Sequence, residues 1–95
     1  MEPMATVHLT QHLYSFFPQL EGKALAVEAS TVGEVVRGLE ALAPGLGFYL
    51  CDERGRLRTH VNVFLNKQMI RDRGGLTDAV APGDEVHIFQ ALSGG

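Results

Sequence analysis

The chain has 95 residues, 45% of them hydrophobic and 20% charged, and a formal net charge of -3. That length allows a single domain with a modest core, and the balance lies outside the low-hydrophobicity, high-charge signature of disorder. The eight Lys and Arg are scattered apart from a small group at Arg54–Arg58, the single Cys51 has no internal disulfide partner, and the apolar stretch around Leu39–Leu50 is broken by Glu40, Pro44 and glycines, so nucleic-acid binding, a disulfide scaffold and a membrane span are all disfavoured.

Thr6-Val7-His8-Leu9-Thr10 alternates polar and apolar residues, which predicts a half-buried strand with Val7 and Leu9 inward and His8 outward. Lys23 to Glu28 repeats the pattern with Leu25 and Val27 inward, so the two segments form a hairpin joined by a long loop through the irregular Tyr14–Gln19 stretch. Thr31-Val32-Gly33-Glu34 reads as a capping box that opens a helix. Val32, Val35, Val36, Leu39 and Leu42 form its apolar stripe, and Pro44-Gly45 ends it.

Gly45 to Leu57 reads as a loose connection with a short helical turn and a charged turn at Asp52-Glu53-Arg54-Gly55. His60 to Asn66 is the clearest strand, with Val61, Val63 and Leu65 on one face and His60, Asn62, Phe64 and Asn66 on the other. A turn at Asn66-Lys67-Gln68 and a connection through Gly74-Gly75-Leu76 lead to Ala81-Pro82-Gly83-Asp84, a tight turn before a last strand. In that strand Val86 and Ile88 face inward, and His87 and Phe89 share the outer face with Phe64 if the last two strands are neighbours.

One main helix packed on one face of a mixed sheet buries these stripes and leaves the other face partly open. The expected fold class is α+β with β-grasp, ubiquitin-like architecture over residues 1–90, and residues 91–95 form a flexible tail. That tail ends in Ser93-Gly94-Gly95. Two residues without Cβ can thread a channel too narrow for any other side chain, which makes the Gly95 carboxylate the expected reactive group.

Val61-Asn62-Val63-Phe64-Leu65-Asn66, Gly74-Gly75-Leu76, Pro82-Gly83-Asp84-Glu85-Val86 and Ser93-Gly94-Gly95 occur in an order and spacing that resembles the MoaD/ThiS-type ubiquitin-like sulfur carriers. The resemblance covers nearly the whole chain; Arg73-Gly74-Gly75-Leu76 and the insertion around Asp52–Arg58 are similar to the CysO-like branch used in cysteine biosynthesis. It implies that an E1-like enzyme uses ATP to adenylate the Gly95 carboxylate, that sulfur from a persulfide donor replaces AMP to give a thiocarboxylate, and that an acceptor enzyme takes the sulfur. In this reading the chain is a cytoplasmic carrier, or the small subunit of a sulfur-transferase complex, with no catalytic residue and no bound cofactor of its own. Molybdopterin, cysteine, thiamine-type and siderophore acceptors all remain open. So does a ubiquitin-like protein modifier, in which a target lysine captures activated Gly95.

Phe64, Phe89 and Leu92 are the candidate docking patch for a partner, although single exposed apolar residues are also ordinary surface features. Arg71 and Arg73 are further interface candidates, with solvated surface charge as the plainer role. His8, His60 and His87 share the expected outer face but match no metal spacing, and no metal is expected. Cys51 is expected to be a semi-buried filler, and Asp52, Glu53, Asp72, Asp78 and Asp84 to serve turns.

Overall fold

The computed structural model describes residues 4–21 and 25–90. The expectations for Leu92, Ser93, Gly94 and Gly95 therefore lie outside the described residues, as do residues 1–3 and 22–24. The N-terminal alternation is strand β1, Met4–Leu9, with Ala5 and Val7 buried, and the second is β2, Leu25–Glu28, with Leu25 and Val27 buried. They pair antiparallel, Met4 opposite Glu28 and Val7 opposite Leu25, as the expected hairpin.

The stretch read as irregular is instead a short helix, α1, Gln11–Phe16, followed by a 3-10 turn at Pro18–Leu20. Leu13, Phe17 and Leu20 are all buried. Their spacing of four and three residues puts them on one side of a helical path. Pro18 takes the first position of the 3-10 turn, where its missing N–H costs no internal bond.

The main helix, α2, is Val32–Leu42, and Thr31 caps it with Oγ1 accepting from the Glu34 N–H at 3.2 Å. The other half of the expected box is displaced by one residue, because the Glu34 carboxylate accepts from the backbone N–H and the hydroxyl of Ser30, at 2.7 and 2.9 Å. These bonds, the backbone one foremost, hold Glu34 below the usual carboxylate range. Val32, Val35, Val36 and Leu39 are buried, but Leu42 is 48% exposed and must be removed from the stripe. The chain turns at Pro44-Gly45 into α3, Leu46–Leu50, and the buried Ala43, Leu46 and Leu50 fill the core at this end instead. Gly38 brings α2 close to β2, since a Cβ there would stand 3.1 Å from Val27 Cγ1 and 3.2 Å from Val27 Cβ.

Strand β3, Val61–Leu65, turns at Asn66-Lys67 into the two-residue β4, Gln68–Met69, with Asn66 at φ 58°, a conformation that asparagine tolerates better than most residues. The last strand, β5, is Glu85–Gln90. Its entry is a type II turn with Pro82 before Gly83, which has φ 88°, and the Asp84 N–H donates to the Ala81 carbonyl at 3.0 Å. The five strands lie in the order β2-β1-β5-β3-β4, with β5 parallel to β1 and antiparallel to β3. This is the mixed sheet of a β-grasp fold.

The connection from β4 to β5 is organised by the carboxylates expected to serve turns. Asp78 accepts from the N–H groups of Arg71 and Asp72, and Asp72 accepts from the Gly75 N–H and the Thr77 hydroxyl. The loop then docks on α2, with the Leu76 and Asp78 carbonyls accepting from the N–H groups of Gly33 and Val32. Those donors would otherwise be left open at a helix start.

Candidate functional site

Alternation along β5 decides what the open sheet face carries. Val86 and Ile88 are buried beneath it, so Glu85, His87 and Phe89 must point the other way. Phe64 faces His87 across the antiparallel pairing, and Asn62 faces Phe89. Phe64 and Phe89 meet edge to face, with ring centroids 5.6 Å apart and planes at 83°. Such a pair is favoured by ring electrostatics and adds to the area it buries. Phe89 remains 48% exposed, and Phe64 is half-buried beside it.

The two arginine candidates separate. Arg73 reaches the open face, donating from Nη1 to Asn62 Oδ1 at 3.1 Å and from Nη2 to the Arg58 carbonyl at 2.7 Å. Its guanidinium is therefore held next to the residue that pairs with Phe89. Arg71 is exposed at the start of the same β4–β5 connection, where its backbone N–H donates to Asp78 Oδ2 at 3.0 Å.

The end of β5, from which the tail departs, is held by residues that the sequence reading passed over. The Thr10 N–H and hydroxyl both donate to the Ile88 carbonyl, at 3.1 and 3.0 Å, and Thr10 Oγ1 accepts from the Gln90 N–H at 3.0 Å. Gln90 Nε2 donates to Tyr49 Oη at 3.2 Å. These bonds join β1, α3 and β5 at the root of the tail. Thr10 and Gln90 are 80 residues apart in the chain, so local pattern held no signal for the contact.

Cys51 is more deeply buried than expected, and burial, with Asp52 next, pushes its thiol up from the ordinary range. A raised, enclosed thiol is a poor nucleophile. His60 lies in the turn before β3, just beyond the Val61–Gln90 pair, at the opposite end of β5 from Glu85. It does not join His8 and His87.

The ThiS family matches residues 7–95, which takes in the second half of β1 and all of β2 to β5 and runs through the diglycine. The chain belongs to the ThiS family. This ThiS-family protein is 37% identical over 75 residues to the sulfur carrier protein CysO of Mycobacterium tuberculosis H37Rv, covering 77% of this chain and 81% of that one. It is 38% identical over 66 residues to the small archaeal modifier protein 3 of Haloferax volcanii, covering 70% and 71% of the two chains. Among solved structures, it resembles a chain of the BexX/CysO complex of Amycolatopsis orientalis with a TM-score of 0.81 and 28% identity over 96% of this chain and 99% of that one. The β-grasp fold and the CysO-like resemblance expected from the sequence are both supported by these likenesses. Among the described residues, no helix is long and apolar enough to cross a membrane.

Proposed function

We propose that this ThiS-family protein carries sulfur as a thiocarboxylate on Gly95. The observation that carries the reading is the family match through residue 95, which includes Ser93-Gly94-Gly95. An E1-like partner adenylates the Gly95 carboxylate with ATP, because a carboxylate is a poor electrophile and AMP is a good leaving group. The outer sulfur of a persulfide donor displaces AMP to give an acyl disulfide. A thiol reductant cleaves its S–S bond and is itself oxidised to a disulfide with the donor, and the thiocarboxylate so released presents a polarizable nucleophile to an acceptor enzyme in molybdopterin-type or cysteine-type biosynthesis. Gly94 and Ser93 thread the partner's channel, while the Phe64–Phe89 pair and Arg73 dock the domain and aim the tail. The protein acts in the cytoplasm as carrier and substrate rather than catalyst. The relative solved as a BexX/CysO complex supports a partner enzyme for the carrier.

Mass spectrometry of the C-terminal peptide tests this on a Cys51→Ala version incubated with an activating enzyme, ATP, a persulfide donor and a thiol reductant, and then treated with an excess of a thiol-selective alkylator. The expected result is an alkyl label on the peptide ending at Gly95 that requires ATP and disappears when Gly95 is deleted. An unlabelled peptide beside a partner shown to be active on another carrier would overturn the reading.

The 38% likeness to an archaeal modifier favours a second reading, conjugation of Gly95 to target lysines. That activity would leave an isopeptide-linked ladder in cell extracts, whereas a dedicated carrier leaves free thiocarboxylated protein.

A further inference from the structure

We propose that His8, Glu85 and His87 form a binding site for a late first-row divalent metal ion, with zinc the best-matched ion. The parallel pairing of β1 with β5 sets His8 directly beside His87 and Thr6 beside Glu85. Alternation turns His8, Glu85 and His87 onto the same open face. One ligand atom from each of the three lies within 4.8 Å of the others, and His8 Nε2 is already 2.9 Å from Glu85 Oε1. Two imidazoles and a carboxylate suit zinc, nickel or copper, whereas calcium and magnesium favour oxygen ligands alone.

The geometry also states what binding must change. Zinc bonds of about 2.0–2.2 Å place tetrahedral ligand atoms about 3.3 Å apart, so the His8–Glu85 pair must open slightly while any wider separation in the cluster closes. The His8 and His87 rings are stacked, with centroids 4.5 Å apart and planes at 13°. Nearly parallel rings cannot both point a nitrogen lone pair at one ion, so at least one ring must turn about its Cβ–Cγ bond. His8 is free to do so, since its side chain is 45% exposed. The strand backbones stay where the core holds them, because Val7, Val86 and Ile88 beneath the site are almost wholly buried. The ion would replace the direct contact between His8 Nε2 and Glu85 Oε1. Three protein ligands leave a fourth position open to solvent. Lys67 lines the same shallow groove as Glu85 and His87, and its charge opposes the cation.

The sequence puts His8 and His87 on one face but groups them with the remote His60 and not with Glu85, which is 77 residues from His8. The site does not depend on the tail or its chemistry, so its test stands apart from the thiocarboxylate experiment.

Untagged full-length protein is titrated with zinc chloride in a non-chelating buffer and followed by calorimetry and by the ring resonances of the histidines. The expected result is one equivalent bound in the micromolar range, with the His8 and His87 rings shifted and that of His60 unmoved. His8→Ala, His87→Gln and Glu85→Gln should each weaken binding at least tenfold, and His60→Ala should leave it unchanged; each variant is checked for an unaltered thermal midpoint without metal. Any variant that loses its fold is replaced by His8→Gln, whose exposed position carries no core contact. Absence of binding below millimolar zinc, or binding that is indifferent to His8 and His87, would overturn the site.

Discussion

The two faces of the same sheet follow opposite rules. On the inner face Val61, Val63, Val86 and Ile88 are all but inaccessible, and each is packed against the core formed with α2 and α3. On the outer face β1, β3 and β5 present His8, Phe64, Glu85, His87 and Phe89, joined by ring contacts and a hydrogen bond rather than by burial. Burial is therefore concentrated on one side, and aromatic, imidazole and carboxylate groups stand open on the other. Substitutions one residue apart along β5 should then have different kinds of effect.

The largest expected effect is on the inner face. Ile88→Ala removes a fully buried side chain at the centre of the sheet, and large-to-small changes of this kind cost about 3 kcal/mol. Urea denaturation should show that loss in the midpoint, and a near-normal midpoint would mean that the inner face is not where the stability lies. One residue on, Phe89→Ala should change the urea midpoint little and lower the rate of ATP-dependent activation at limiting carrier about tenfold, in keeping with the truncation of an aromatic anchor. If Phe89→Ala lost stability and kept its activation rate, the division between the faces would fail.

The smallest expected effect is away from both faces, in carboxylates of the β4–β5 connection and of the first turn of α2. The Thr77 hydroxyl, followed by the Gly75 N–H, holds Asp72 below its ordinary range, and bonds to Ser30 do the same for Glu34. A carboxyl with a lower pKa in the folded than in the unfolded chain contributes stability that is fully present above the unfolded value. That contribution fades as the pH falls from about 4 toward the lower folded values. Asp72→Asn should therefore flatten the acid limb of the stability curve, measured by denaturation at a series of pH values, and leave the slope near neutral pH unchanged. An unaltered acid limb would show that the Thr77 bond persists equally in the unfolded chain.

Much of this was legible in the chain. Period-two alternation identified β1, β2, β3 and β5 and told inner from outer residues, because a strand's side chains must point to opposite faces whatever they pair with. Thr31 and Pro44-Gly45 bounded α2 through local backbone chemistry. The helix at Gln11–Phe16 was not legible, since Leu13 is its one buried apolar residue among those described and the next two, Phe17 and Leu20, fall beyond its end, which leaves no period within the helix itself. Leu42 was misread for the converse reason: it keeps the period of α2, but Ala43 and Leu46 occupy the core beyond it. In the candidate site, Phe64 and Phe89 followed from alternation, whereas the Thr10–Gln90–Tyr49 contacts did not.

By itself the sequence determined the α+β class, the faces of the strands, the family and the diglycine end, all of which depend on residues near one another or on motifs in fixed order. Tertiary structure alone decided that β5 lies between β1 and β3, and hence that His8 stacks on His87, that Glu85 rather than His60 joins them, and that Arg73 is tied to Asn62 beside Phe89. The physical reason is register. Which residue of one strand stands beside which residue of another is set by how the whole core closes, and a shift of one position would turn each of these side chains to the other face.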